Sequence, residues 1–133
     1  MNPRNLRQQL VHDVYVDGAG MGPFSRRSGY AWINTTTGKN IVRWVEGLTN
    51  NRAEYRAFLS AVRHMPKGSV VEIFSDSQVI VCQFNGTYRV KDPRLTALLT
   101  KIRQVIEERN LTVTLSWVPR ERNLAGKLLE KAK

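Results

Sequence analysis

Three acidic residues occur at positions where a folded chain could bring them together. Asp17 ends a short valine-rich segment and precedes a glycine, and Asp76 ends a second apolar segment just before a predicted helix. If these segments form adjacent parallel strands, both aspartates lie at the same carboxyl edge of the sheet, where open α/β sheets bind ligands. Glu54 lies in the first turn of a long predicted helix, and a helix packed on that sheet directs it to the same edge.

Converging carboxylates would need a counter-charge. Two like charges a few ångströms apart repel by about 4 kcal/mol at an effective dielectric of about 20. A divalent cation removes this repulsion, and oxygen ligands without nitrogen or sulfur favour Mg²⁺ or Mn²⁺. Two such ions about 4 Å apart would support in-line attack on a phosphodiester. Each acid has a structural explanation of its own: Asp17 in a turn, Asp76 as a helix cap and Glu54 beside the helix dipole. The combination of the three indicates a metal site.

The composition favours a partner that carries negative charge. The chain has 133 residues, with 21 Lys and Arg against 11 Asp and Glu, for a net charge of +10. Such an excess of basic residues attracts polyanions, of which nucleic acid is the first to consider. A basic surface selected only for solubility would produce the same excess. Residues 11–133 are expected to form one domain after an N-terminal extension, residues 1–10. The polar N-terminus and the single Cys82 predict a cytoplasmic protein, and no apolar run approaches the roughly 20 residues of a membrane span.

Hydrophobic patterning predicts five strands and four helices. Gly18 is expected to end the first strand, Asn50 or Asn51 to cap the long helix, and Asp92 to cap a later one. The first three strands are expected to form an antiparallel meander, and the apolar fourth strand to be covered on both faces. The predicted fold class is α/β, a mixed five-stranded sheet flanked by helices. The strands are predicted at 11–17, 28–34, 40–46, 69–75 and 112–118, and the helices at 51–65, 77–84, 93–106 and 124–131.

Three short motifs carry a family resemblance. They are YVDG at residues 15–18, TNNRAE at residues 49–54 and SDSQ at residues 75–78. In their order and surroundings they resemble ribonuclease H of type 1, and the likeness covers nearly the whole chain after residue 10. The Asp-Gly pair alone is a weak signal, whereas TNNRAE together with SDSQ is specific.

The resemblance implies a fold, an enzyme and a cofactor. The fold would be RNase H-like, with the fourth and fifth strands parallel to the first. The enzyme would be an endoribonuclease that hydrolyses the RNA strand of an RNA/DNA hybrid by a two-metal mechanism and leaves a 3′-hydroxyl and a 5′-phosphate. Asp17, Glu54 and Asp76 would be its catalytic metal ligands, for Mg²⁺ or Mn²⁺.

The resemblance also implies which residues bind the hybrid. Asn50, Asn51 and Gln78 would contact the minor groove, where amides can donate to and accept from 2′-hydroxyls and base edges. Thr49 would help to hold a phosphate of the DNA strand. Glu54 would also accept from a ribose 2′-hydroxyl, a contact that only the RNA strand can offer.

One position departs from the family pattern. The family has Asn-x-x-Ala-Asp in its last helix, and here Lys127 occupies the aspartate position. Either Asn123, one helical turn earlier, acts as a catalytic residue that supplies a neutral oxygen ligand or holds water, or the fourth ligand is absent and Lys127 faces phosphate. We expect activity to be retained, with Mn²⁺ preferred. The family's usual histidine in the preceding loop is also missing, and Arg120 could hold phosphate in its place or pair with Glu121.

Other functions remain compatible with the sequence. Lys127 favours a catalytically impaired hybrid-binding or RNA-binding module of the same fold as the main alternative. An integrase-like or resolvase-like domain would share the metal chemistry but place its acids differently, and a plain basic scaffold would leave the three acids unexplained. We expect a monomer with no membrane association and no obligatory protein partner.

Overall fold

The computed structural model describes residues 10–133, so nearly all of the predicted N-terminal extension lies outside the described residues. The elements follow the predicted order. They are β1 (Val11–Ala19), β2 (Arg27–Asn34), β3 (Asn40–Glu46), α1 (Asn50–Arg63), β4 (Val70–Ser75), α2 (Gln78–Phe84), α3 (Pro93–Glu108), β5 (Thr112–Trp117), a 3₁₀ turn (Arg120–Arg122) and α4 (Leu124–Lys131).

The five strands form one mixed sheet in the order β3-β2-β1-β4-β5. The pairs β1–β2 and β2–β3 are antiparallel, and β1–β4 and β4–β5 are parallel. The predicted fold class, including the meander and the parallel arrangement of β4 and β5 with β1, is therefore confirmed. Tyr15 pairs with Phe74 at the carboxyl end of the β1–β4 ladder. Asp17 and Asp76 each follow two residues later, so they emerge level with one another.

The main core lies between one face of the sheet and the helices α1 and α3. On the other face α4 packs on β1 and β2 through Ala125 and Leu129. The expectation that β4 is covered on both faces is wrong, because Glu72 is exposed and Phe74 only partly buried. The main core includes Val14, Val16, Trp32, Tyr55, Phe58, Val62, Val71, Ile73, Ile80, Ile102 and Leu115.

Gly18 does not end β1, contrary to the prediction. The strand continues to Ala19, which pairs with Gly29 of β2. A Cβ atom on Gly18 would lie 2.3 Å from the backbone carbon of Ala53 and 2.4 Å from the nitrogen of Glu54. The glycine therefore permits α1 to approach β1 at closest range, and this approach brings Glu54 to the strand that carries Asp17.

The helix caps differ from the prediction at one end of α1. Thr49, rather than Asn50 or Asn51, is the N-cap, and its side chain accepts from the nitrogen of Arg52 at 3.3 Å. Asn50 is already helical, and its side chain contacts the β1–β2 loop instead. The prediction that Asp92 caps α3 is confirmed by its acceptance of the Arg94 N–H at 2.8 Å.

Candidate active site

The three predicted acids meet at the edge of the sheet. One carboxylate oxygen from each of Asp17, Glu54 and Asp76 lies within 4.8 Å of the other two. Asp17 is in the last part of β1, and Asp76 follows β4, while Glu54 is the fifth residue of α1 and so begins its second turn. The cluster depends on the parallel β1–β4 pair and on the close approach of α1 at Gly18.

Burial and mutual repulsion favour the protonated forms of these acids. The pKa of Asp17 is raised from 3.8 to about 6, mainly by burial and then by the charge of Asp76. A hydrogen bond with Glu54 and the charge of Arg120 act in the opposite direction. The pKa of Glu54 lies well above its ordinary value, again mainly through burial and then through the charge of Asp17. A divalent cation would compete with protons for this cluster.

The cluster is chemically suited to a hard divalent cation. Among the described residues the Oε2 atom of Glu54 is buried and has no hydrogen-bond partner. Such an unpaired oxygen is unfavourable in a folded protein unless another group neutralises it. Three carboxylates without nitrogen or sulfur ligands are the donor set that Mg²⁺ and Mn²⁺ accept.

Asn123 joins the cluster through its amide nitrogen. This completely buried side chain donates from Nδ2 to the carbonyl of Val16 at 2.9 Å and to Oδ2 of Asp76 at 3.1 Å. Its Oδ1 accepts from the nitrogens of Ala125 and Gly126 at 3.1 and 3.4 Å and caps α4. A ligand role for the Asn123 oxygen therefore does not fit this geometry, because the helix cap occupies the oxygen. The side chain holds Asp76 in position instead.

The first turn of α4 closes the site beside Asp17. A Cβ atom on Gly126 would lie 3.1 Å from Oδ2 of Asp17, so the glycine keeps this approach open. Lys127 follows on the same turn and is exposed. With Arg120 it lines the cavity that contains the acids. The acids are thus bordered by positive charge on the α4 side.

The cavity over the acids has a volume of about 690 Å³. Among the predicted nucleic-acid-binding residues, Asn50, Asn51, Arg120 and Lys127 line it. Thr49 caps α1, and Gln78 is the exposed first residue of α2; neither lines the cavity. The cavity lining also includes Gly18, Ala19, Ser77, Glu121, Gly126, Leu129, Glu130, Lys131 and Lys133.

One contact at the site was not predicted from the sequence. The indole Nε1 of Trp117 donates to the backbone carbonyl of Asp76 at 3.1 Å. Trp117 ends β5 and pairs with Ser75, the last residue of β4. The register of two parallel strands creates this contact, and no local sequence pattern indicates it.

The sheet order and the carboxylate cluster define an RNase H-like protein. A family profile described as "Reverse transcriptase-like" matches residues 24–131. The chain therefore belongs to the reverse transcriptase-like family and is an RNase H-type protein. The structure of LC11-RNase H1 in complex with an RNA/DNA hybrid aligns with a TM-score of 0.76 and 28% identity, over 91% of this chain and 98% of that one. RNase H1 from Halobacterium salinarum, at 23% identity and a TM-score of 0.73 over 90% of this chain and 94% of that one, shares the fold.

Sequence relatives agree with the structural neighbours. A ribonuclease H from Lachnoclostridium phytofermentans is 35% identical over 79 residues, which cover 54% of this chain and 50% of that protein. The bifunctional protein Rv2228c from Mycobacterium tuberculosis is 34% identical over 77 residues, 56% of this chain and 21% of that protein. The chain thus spans about a fifth to a half of the length of these relatives. Within residues 10–133 no helix is both long and apolar enough to cross a membrane.

Proposed function

We propose that the protein is a metal-dependent endoribonuclease that hydrolyses the RNA strand of RNA/DNA hybrids and leaves a 3′-hydroxyl and a 5′-phosphate. The observation that carries this proposal is the cluster of Asp17, Glu54 and Asp76, whose oxygens lie within 4.8 Å of one another around a buried, unpaired Glu54 oxygen. A net charge of +10 suits a polyanionic substrate. LC11-RNase H1, whose structure includes an RNA/DNA hybrid, supports the substrate class.

Asp17, Glu54 and Asp76 would hold the Mg²⁺ or Mn²⁺ ions. Two ions bound there would supply activation of the attacking water and neutralisation of the leaving oxygen during in-line displacement. The side chain of Asn123 fixes one oxygen of Asp76, so it acts as a positioning residue. Because Lys127 stands where the family has an acid, we propose that Mn²⁺ serves better than Mg²⁺, since it binds such sites more tightly.

The hybrid would bind across the cavity. The Oδ1 atom of Asn50 accepts from the nitrogen of Gly20 at 2.8 Å, so its Nδ2 is the group that would donate to the minor groove, together with the amide of Asn51. Thr49 and Gln78 lie at the starts of α1 and α2, beyond the cavity lining. They would contact the parts of the nucleic-acid strands that extend out of the cavity.

The remaining contacts would be made to phosphate and ribose. Arg120 and Lys127 line the cavity and would neutralise phosphates of the cleaved strand. Glu54 would accept from a ribose 2′-hydroxyl as well as hold metal. Because deoxyribose lacks that hydroxyl, this contact would direct cleavage to the RNA strand.

Cleavage of an end-labelled RNA/DNA hybrid tests the proposal. The protein should cut the RNA strand in Mg²⁺ or Mn²⁺ and leave duplex DNA intact, and Asp17→Asn should lose at least a hundredfold in rate. Asp13→Asn is the matched control, because it makes the same change on β1 four residues from the cluster. Cleavage that survives in Asp17→Asn, or cutting of duplex DNA but not of the hybrid, would refute the assignment.

A catalytically impaired hybrid-binding module of the same fold is the second candidate. The exposed ammonium of Lys127 at the α4 side of the site favours it, because positive charge there opposes a further metal ion. Single-turnover reactions with excess protein distinguish the two. Binding of the hybrid without cleavage in either metal would establish the module and exclude the nuclease.

We also propose that the protein works as a monomer in the cytoplasm without an obligatory partner. The lone Cys82, which forms no disulfide in the described chain, is compatible with a reducing compartment. Light scattering coupled to gel filtration tests the oligomeric state. A stable dimer at micromolar concentration would overturn that part of the proposal.

A further inference from the structure

Phe24 is by far the most exposed large apolar side chain in the part of the chain that the structure describes. Its exposed fraction is 98%, whereas that of Leu10, the next highest, is 55%. The ring lies in the β1–β2 loop, which comprises residues 20–26. The ring buries almost no surface against the protein, so contact with another molecule would gain nearly the full free energy of burying a phenyl group.

The β1–β2 loop is fixed at both ends beside the active-site cavity. The nitrogen of Gly20 donates to Oδ1 of Asn50 at 2.8 Å, and the carbonyl of Arg26 accepts from the nitrogen of Gly47 at 2.8 Å. Gly20 is so close to α1 that a Cβ atom would lie 2.4 Å from the nitrogen of Asn50. Ala19, which precedes the loop, and Asn50, which holds Gly20, both line the cavity. The loop therefore begins at the cavity wall.

Two arginines follow Phe24 closely in the chain, Arg26 in the same loop and Arg27 at the start of β2. The guanidinium of Arg27 lies over the ring of Trp44 at 4.1 Å from its centroid. The Nη2 atom of Arg26 lies against Gly47, 2.6 Å from where a Cβ atom would stand. Both cations are therefore held against the protein near the loop that carries Phe24. An aromatic ring beside positive charge is the combination that binds single-stranded nucleic acid, through stacking on bases and attraction of phosphates.

The flat ring needs a base whose face is uncovered. Inside a hybrid duplex each base is covered by its neighbours, whereas an unpaired base presents a free face. We infer that Phe24 stacks on an unpaired base in a strand that continues from the hybrid out of the cavity, and that Arg26 and Arg27 attract the phosphates of that strand. This inference rests on the proposed function and adds a single-strand subsite to it.

Fluorescence anisotropy with two substrates tests the subsite. The probes are a fluorescein-labelled RNA/DNA hybrid that is blunt, and the same hybrid with an unpaired DNA extension of about ten nucleotides at either end. All proteins carry Asp17→Asn to prevent cleavage, and the protein with this change alone is the parent. The measured quantity is the affinity for the extended hybrid divided by the affinity for the blunt hybrid. Adding Phe24→Ala should lower this ratio by about tenfold. Phe24→Tyr should restore this ratio.

A second readout separates stacking from a structural effect. A 2-aminopurine base in the extension should change its fluorescence on binding to the parent and to Phe24→Tyr, and not on binding to Phe24→Ala. Leu10→Ala is the control, because it removes an exposed apolar side chain at the opposite end of β1.

The outcomes separate the subsite from the proposed function. An unchanged affinity ratio in Phe24→Ala overturns the subsite, and so does an equal loss on both probes. Hybrid binding by the parent leaves the proposed function standing in both cases. A parent that binds neither probe overturns the proposed function and the subsite together.

Discussion

Replacement of Asp17 by asparagine should make the metal-free protein more stable at neutral pH. The change keeps the size of the side chain and removes one of three neighbouring charges. In the metal-free protein the pKa of Asp17 is raised from 3.8 to about 6, first by burial and then by Asp76. Near pH 7 the folded protein must therefore hold an ionised carboxylate in a place that favours the neutral form.

The sign and size of the effect follow from the pKa. Because the native state binds the proton more tightly than the unfolded state, this group's stabilisation is complete below about pH 4 and is lost as pH rises through 6. At about 1.4 kcal/mol for each tenfold change in proton affinity, the loss reaches about 3 kcal/mol by pH 7.5. Asparagine has no such loss. Since about 0.5 kcal/mol is already lost at pH 4, just above the unfolded value of 3.8, the stability advantage of Asp17→Asn should grow by about 2 kcal/mol between pH 4 and pH 7.5.

Urea unfolding followed by circular dichroism measures this difference. Wild type, Asp17→Asn and the control Asp13→Asn are compared in EDTA at pH 4 and pH 7.5. The control should show no comparable growth, because Asp13 lies outside the carboxylate cluster. Addition of Mn²⁺ at pH 7.5 should stabilise wild type more than Asp17→Asn, since the ion binds the folded cluster.

An Asp17→Asn protein whose advantage is the same at both pH values would refute the reasoning. So would a variant that is less stable than wild type at pH 7.5 and equal to it at pH 4. Either result would mean that the charges of the cluster do not oppose folding. It would also remove the electrostatic reason for expecting a cation there.

Three further changes test the rest of the site. Asn123→Ala removes the hydrogen bonds to Val16 and Asp76 and the cap of α4, and should lower the free energy of unfolding by about 2–4 kcal/mol in urea titrations. A loss under about 1 kcal/mol would contradict its linking role. Gly18→Ala forces α1 away from β1 and should reduce the rate of hybrid cleavage at least tenfold. A variant that cleaves as fast as wild type would show that the helix can shift freely. Lys127→Asp should lower the Mn²⁺ concentration that gives half-maximal cleavage. Lys131→Asp, farther along α4, is the control and should change this concentration less. Equal metal dependence of the two variants would contradict a special position for Lys127.

The sequence was sufficient for the parts of the fold that depend on local patterns. Strand and helix periodicity predicted the order of the elements. Asp17 and Asp76 could be placed together because each was expected at the carboxyl end of one of two adjacent parallel strands. The cap of α1 was not predictable in the same way. Residues 49–51 are all capable of capping, and the contact of Asn50 with Gly20 in a distant loop leaves Thr49 as the cap.

Two residues were misinterpreted because their roles are tertiary. Gly18 resembles a strand terminator in sequence, yet it is a contact point at which α1 presses on β1. Asn123 was considered as an oxygen ligand or a water-holder in place of the missing acid, but the backbone of α4 takes that oxygen. Its nitrogen contacts a carbonyl 107 positions earlier in the chain, and no pattern of nearby residues reveals such a contact.

The link from Asn123 to Val16 and Asp76 also orders the assembly of the site in time. The acids belong to β1, α1 and the end of β4, which are synthesised first, whereas the amide that fixes Asp76 arrives with α4. During translation a nascent chain can thus form its sheet while Asp76 is still unrestrained. Docking of the last helix then completes the site, so the carboxylate cluster reaches its final arrangement only after synthesis has passed residue 123.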